Sequence, residues 1–73
     1  MKIKILTTND CTFCLLAKKL LENRNLKYEE IKLEKNIQMF KKIKIKYNYH
    51  TVPIIFINEK FIGGYNELKK FIN

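Results

Sequence analysis

Polar and apolar positions alternate from the start of the chain: Lys2-Ile3-Lys4-Ile5-Leu6 sets β-branched side chains on one side of an extended segment and predicts a strand. Polar residues Thr7 to Asp10 lead out of it. From Thr12 to about Arg24 the period changes to that of a helix, with Phe13, Leu16, Ala17, Leu20 and Leu21 on one stripe and Lys18, Lys19 and Glu22 outside it. Asn23 and Asn25 can end that helix, because Asn tolerates the left-handed conformation. Leu26 to Leu33 returns to alternation, with Tyr28, Ile31 and Leu33 among charges, and predicts a second strand. Asn36 to Tyr49 carries two patterns: Ile37, Phe40, Ile43 and Tyr47 form a helical stripe, while Lys42 to Lys46 alternates like a strand. The helical reading is preferred, since the crossover between the first two strands is already supplied and the next apolar segment begins only at Val52. Pro53-Ile54-Ile55-Phe56-Ile57 is an apolar run of strand length, as for a strand buried on both faces. Asn58-Glu59 is a hairpin turn into a short strand, Lys60-Phe61-Ile62. Gly63-Gly64 breaks the pattern, and Asn66 to Ile72 carries Leu68, Phe71 and Ile72 on one side of a last helix. The order β-α-β-α-β-β-α predicts an α/β fold, a four-stranded mixed sheet with helices on both faces.

Composition sharpens this picture only modestly. The 73 residues make one domain, 1–73, near the lower limit for a fold held by a hydrophobic core alone. An apolar fraction of 47% with 30% charged residues excludes a disordered chain. The net charge of +8 is almost all lysine, which favours anionic partners such as acidic protein surfaces; with so little Arg, specific nucleic-acid recognition is not expected. The abundance of Lys, Ile and Asn also matches the codon bias of an A/T-rich genome, which explains the charge without any partner. No apolar run is long enough to cross a bilayer, and the N-terminus lacks an extended apolar region with a cleavage site, so a cytoplasmic protein without a membrane partner is expected.

The candidate chemistry lies in Cys11-Thr12-Phe13-Cys14, which holds both cysteines of the chain at a strand-to-helix junction. In a reducing compartment such a pair is more often catalytic or metal-binding than a staple, and a bridge across so short a loop restrains the unfolded chain little. Cys11 is placed at the helix start, where unpaired N–H groups and the helix dipole favour a thiolate. That makes it the attacking nucleophile in thiol–disulfide exchange. Cys14, one turn further in beside Leu15 and Leu16, is more enclosed and placed to resolve a mixed disulfide. Two alternatives are weaker: small apolar residues in a core, or zinc, for which His50 is the only His and no second Cys pair exists, so that a metal would have to be shared between two chains.

Three pieces, in order and over nearly the whole chain, resemble the glutaredoxins of the thioredoxin-like fold: Cys11-Thr12-Phe13-Cys14, Thr51-Val52-Pro53 and Gly63-Gly64-Tyr65-Asn66-Glu67-Leu68. The resemblance implies a glutathione-dependent thiol–disulfide oxidoreductase that reduces protein disulfides and glutathione mixed disulfides, with Cys11 as nucleophile and Cys14 as resolving thiol. Glutathione is then the reducing cosubstrate, no metal is expected, and the protein acts as a monomer on disulfide-containing or glutathionylated proteins. Pro53 is implied to follow a cis peptide bond, leaving the Val52 backbone free to pair with glutathione; taken alone it reads as a strand-opening proline. Gly64 allows close backbone approach, and Tyr65 and Asn66 at the following helix start are implied to hold the γ-glutamyl end. Thr12, Phe13 and Thr51 complete the implied glutathione contacts.

Departures from the family pattern bear on that expectation. Thr12 and Phe13 replace the common Pro and Tyr; Thr8 stands where a Lys is usual, and Asn66 where an acid is usual, with Glu67 next along. His50, near where members often place a basic residue, is expected to be a surface residue, and the chain stops at Asn73, where many members continue into a longer helix. Two alternatives share the fold: a glutaredoxin-like electron donor to ribonucleotide reductase recycled by thioredoxin reductase, and a dimer carrying an iron–sulfur cluster on Cys11 and glutathione.

Overall fold

The opening alternation forms strand β1 (Ile3–Thr7), and the helical stripe that follows forms α1 (Thr12–Asn23) in the computed structural model, which describes residues 1–73. They are followed by β2 (Glu29–Lys32), α2 (Ile37–Tyr47), β3 (Ile54–Ile57), β4 (Lys60–Gly63) and α3 (Tyr65–Ile72), with a single 3-10 turn, Leu33–Lys35, before α2. The sheet order is β2-β1-β3-β4. β1 runs parallel to β2, as the α1 crossover requires, and antiparallel to β3, with Ile5 opposite Ile55. β3 and β4 form an antiparallel hairpin whose turn residues, Asn58 and Glu59, both have positive φ, 51° and 68°, matching the right-handed twist of the strands they join.

The period of two along the strands sorts side chains to two faces. Ile3, Ile5, Ile55 and Ile57 meet Ala17 and Leu21 of α1 and Leu68 of α3 in one core. Leu6, Leu33 and Ile54 form a second core on the other face, where Phe40 and Ile43 of α2 cover them. Tyr47 closes that layer by stacking on Phe61, ring centroids 4.5 Å apart. This is the thioredoxin-like fold, a mixed four-stranded sheet with three helices.

Local expectations change at the second strand, at Leu33, in α1 and in α3. The second strand is shorter than 26–33, because Asn25 (φ 56°) ends α1 in a left-handed turn in which the Asn25 N–H bonds to Glu22 O and the Leu26 N–H to Leu21 O. The chain is still leaving the helix at Leu26 and reaches β1 only at Glu29. Leu33 belongs to the 3-10 turn, which drives its side chain into the second core. Phe71 is 52% exposed: in α3, Leu68 and Ile72 face the sheet, and Phe71 falls to the side. Phe13 and Leu16 of the α1 stripe are likewise exposed, so only Cys14, Ala17 and Leu21 of that helix are fully buried. No helix is long and apolar enough to cross a membrane.

Candidate active site

Asp10, in the left-handed region at φ 54°, turns the chain out of the β1 loop and hands over to Cys11, the N-cap of α1. In the cap position the Cys11 sulfur accepts a hydrogen bond from the Cys14 N–H, 3.1 Å away, in the way an N-cap oxygen would. No acidic residue lies in the first turn of α1 to oppose a negative charge there. With that N–H donor and the positive end of the helix dipole, the cap position is complementary to a negative charge on the sulfur. Cys11 and Cys14 are joined here as a disulfide, with Cα atoms 5.2 Å apart, and no free cysteine remains. Cys14 is 2% exposed, whereas Cys11 is half-buried and open to the surface. Only the first thiol is reachable from outside.

The loop ahead of Cys11 is held from the β2 side. The Asn9 N–H donates to the Glu34 carboxylate, and this bond holds that carboxyl below its ordinary range. Thr7, at the end of β1, donates its hydroxyl to Glu30 at 2.7 Å, and Lys18 of α1 meets the same oxygen at 3.0 Å. The Thr7 hydroxyl, ahead of the Lys18 and Lys32 ammoniums, lowers the Glu30 carboxyl pKa, while partial burial works against it. Sheet edge, loop and helix are thus tied together one residue layer behind the cysteines.

On the opposite side, Val52-Pro53 is a cis peptide, and the Val52 carbonyl oxygen lies 3.9 Å from Cys11 Sγ. Val52 makes no backbone hydrogen bond, so its N–H and C=O are free to pair with an extended ligand. A groove of about 230 Å³ runs from there along Phe13, Tyr49, Thr51, Val52 and Pro53 to Gly64, Tyr65, Asn66 and Glu67. Seven of the expected ligand contacts, Phe13, Thr51, Val52, Pro53, Gly64, Tyr65 and Asn66, lie along it together. Thr12 does not; with Cys11, Leu15, Lys18 and Lys32 it lines a separate, larger depression. His50 is exposed, its Nε2 3.2 Å from Asn48 Oδ1, and it does not line the groove.

The two glycines are required by geometry. Gly63 has φ +129°, where L side chains are strained, and a Cβ on it would stand 2.7 Å from Glu67 Cγ. A Cβ on Gly64 would come within 2.5 Å of the Tyr49 hydroxyl and 3.3 Å of the Pro53 carbonyl oxygen. Glu67 accepts a bond from the Gly64 N–H at 2.8 Å and so caps α3; it is committed there. The N–H groups of Tyr65 and Asn66 make no backbone hydrogen bond and open the helix N-terminus towards the groove. Gly63→Ala is expected to lower stability by about 1–3 kcal/mol, through the strained φ and the displaced Glu67 cap, measurable as a lower urea midpoint.

Tyr49 was not singled out among the ligand contacts by sequence reasoning, which counted it as the end of a helix. The helix stops at Tyr47 and Asn48 takes the left-handed conformation (φ 48°), which turns Tyr49 back over Gly64. An Asn just after the last stripe residue was the signal for that reversal.

The glutaredoxin family model matches residues 3–62. Glutaredoxin 1 of Rickettsia typhi is 40% identical over 68 residues, covering 90% of this chain; the chain spans 65% of that protein's length. Among solved structures, a dithiolic glutaredoxin of Trypanosoma brucei brucei is similar at 32% identity and a TM-score of 0.85, covering 94% of this chain and 74% of the other. Glutaredoxin 1 of Francisella tularensis has the same identity, a TM-score of 0.77 and coverage of 94% and 88%. With the Cys-x-x-Cys pair at the N-terminus of α1 and the family match over most of its length, this chain belongs to the glutaredoxin family.

Proposed function

We propose that the protein is a glutathione-dependent thiol–disulfide oxidoreductase of the cytoplasm, acting as a monomer on glutathionylated and disulfide-bonded proteins. The observation that carries this reading is a half-buried N-cap sulfur, open to the surface, over a fully buried partner cysteine, beside a groove that ends at the free N–H groups of α3. For a glutathionylated protein, the Cys11 thiolate attacks the glutathione sulfur; a Cys11–glutathione disulfide forms and the protein leaves as a thiolate that takes a proton. A second glutathione thiolate attacks the glutathione sulfur of that mixed disulfide, releasing oxidised glutathione and the Cys11 thiolate. For a protein disulfide, Cys11 forms a mixed disulfide with one sulfur and the Cys14 thiolate then attacks Cys11 Sγ. The product is a reduced protein and the Cys11–Cys14 disulfide, which two glutathiones reduce. In the bound state, glutathione would lie extended along Val52, with its γ-glutamyl carboxylate at the Tyr65 and Asn66 N–H groups.

A second reading has one observation in its favour. The groove is lined by no Lys or Arg, and its one carboxylate, Glu67, is engaged by Gly64. A donor to ribonucleotide reductase recycled by thioredoxin reductase would need no charged glutathione contact. The two readings separate in one assay: reduction of a glutathionylated peptide with glutathione and glutathione reductase, by wild type and by Cys14→Ser. Turnover in both supports the glutaredoxin reading, because that route uses Cys11 and glutathione alone. No turnover in either, with disulfide reduction by wild type once thioredoxin reductase is added, supports the second.

A further inference from the structure

Between Glu34 and Glu59 the chain has no carboxylate side chain but five lysines, four of them on α2: Lys41, Lys42, Lys44 and Lys46. The structure contains two ion pairs, both at Glu30, so none of the α2 lysines is neutralised by a neighbour. Lysine is spread along the whole chain, but α2 alone among the three helices carries it without any Asp or Glu, whereas α1 has Glu22 and α3 has Glu67.

The geometry of α2 orders these charges. Phe40, Ile43 and Tyr47 face the sheet, and the Lys44 and Lys46 ammoniums fold over the Phe40 and Tyr47 rings at 4.4 and 5.4 Å from their centroids. On the far side, Ile45 is 83% exposed, the most exposed large apolar side chain in the molecule, and Ile37, 57% exposed, lies two turns earlier at the margin of the same face. Helical spacing puts Lys41 and Lys42, four and three residues earlier, beside it on the same outward face. An exposed aliphatic anchor flanked by two unpaired cations has the layout of a binding hot spot with a charged rim.

We propose that the outer face of α2, centred on Ile45 with Lys41 and Lys42, is a docking surface for an acidic segment of a protein partner. The partner presents Asp or Glu side chains around an aliphatic residue that packs on Ile45, and the lysines steer its approach. A membrane surface fits less well, because Phe40 and Ile43 are packed on the sheet and the exposed apolar residues Ile37, Met39 and Ile45 are separated around the helix rather than joined in one apolar face. Nucleic acid fits less well too: the face offers lysine point charges without Arg, and the aromatics of α2 on which bases could stack, Phe40 and Tyr47, face the sheet.

The surface lies outside the cysteine site, so its test needs no turnover. The oxidised full chain, labelled with ¹⁵N, is titrated with a short cysteine-free peptide alternating Glu and Leu, with the Gln-Leu version as control. The expected result is saturable binding of the Glu peptide, stronger at low salt, with shifts centred on Gln38, Lys41, Lys42 and Ile45. Ile45→Glu and the double variant Lys41→Glu/Lys42→Glu, both at solvent-facing positions, should each weaken binding about tenfold or more. Absence of binding, shifts centred elsewhere, or unchanged affinity in Ile45→Glu would overturn the proposal. Tighter binding of duplex DNA or of phosphatidylglycerol vesicles than of the Glu peptide would overturn it in favour of those partners.

Discussion

Cys11→Ser should abolish glutathione-dependent reduction of a glutathionylated peptide entirely while leaving the fold intact. Both halves of that expectation follow from the same position. A serine hydroxyl does not ionise at neutral pH even at a helix N-terminus, so no nucleophile remains for attack on sulfur. As an N-cap, however, serine ranks among the preferred residues, and its oxygen can accept the Cys14 N–H bond that the sulfur accepts now. The variant should therefore show a thermal midpoint close to that of reduced wild type and turnover no faster than the uncatalysed reaction. Residual turnover would move the nucleophile to Cys14, against its burial at 2% exposure. Cys14→Ser differs in kind: it removes only the resolving step, so protein disulfides should accumulate as mixed disulfides with Cys11.

Leu68→Ala should have the largest effect on stability, about 2–5 kcal/mol, since it empties a fully buried position with little room for collapse. In a domain of this size that is a large share of the total. The loss should also reach the groove. α3 has eight residues, too few to persist alone, and Leu68 is the one side chain of that helix wholly inside the core. Loosening it frees Tyr65 and Asn66, so glutathione-dependent turnover should fall at temperatures where the fold persists. Urea titration measures the first effect; a destabilisation below about 1 kcal/mol would mean that β4 and the Glu67 cap, not Leu68, anchor the helix.

How much was legible beforehand depended on whether a residue's environment is set by near or distant neighbours. The strands and helices were, because periods of two and near 3.6 show in Lys2 to Leu6 and Thr12 to Leu21 without reference to the rest of the chain. The cysteines, Pro53 and Gly63-Gly64 were also legible, since each marks a local backbone or chemical requirement. Which apolar residues stay outside was not. Phe13, Ile45 and Phe71 belong to apolar patterns but are exposed, because a sheet of four short strands covers only a narrow stripe of each helix. Tyr49 was missed for the converse reason: its neighbour Gly64 is distant in sequence, and only the left-handed Asn48 brings them together. Thr12, grouped by adjacency with Phe13, lines a separate depression, as helix rotation between consecutive residues dictates.

The order β2-β1-β3-β4 leaves two strands at the margins, and both are only four residues long. Three of the four residues of β2 are charged, Glu29, Glu30 and Lys32, and β4 opens with Lys60. Short, charged margins offer a poor template for a further strand, so the sheet resists growing into fibrils or strand-swapped dimers. With Phe13 exposed beside Cys11, those margins close off one common route by which exposed apolar surface turns into aggregate.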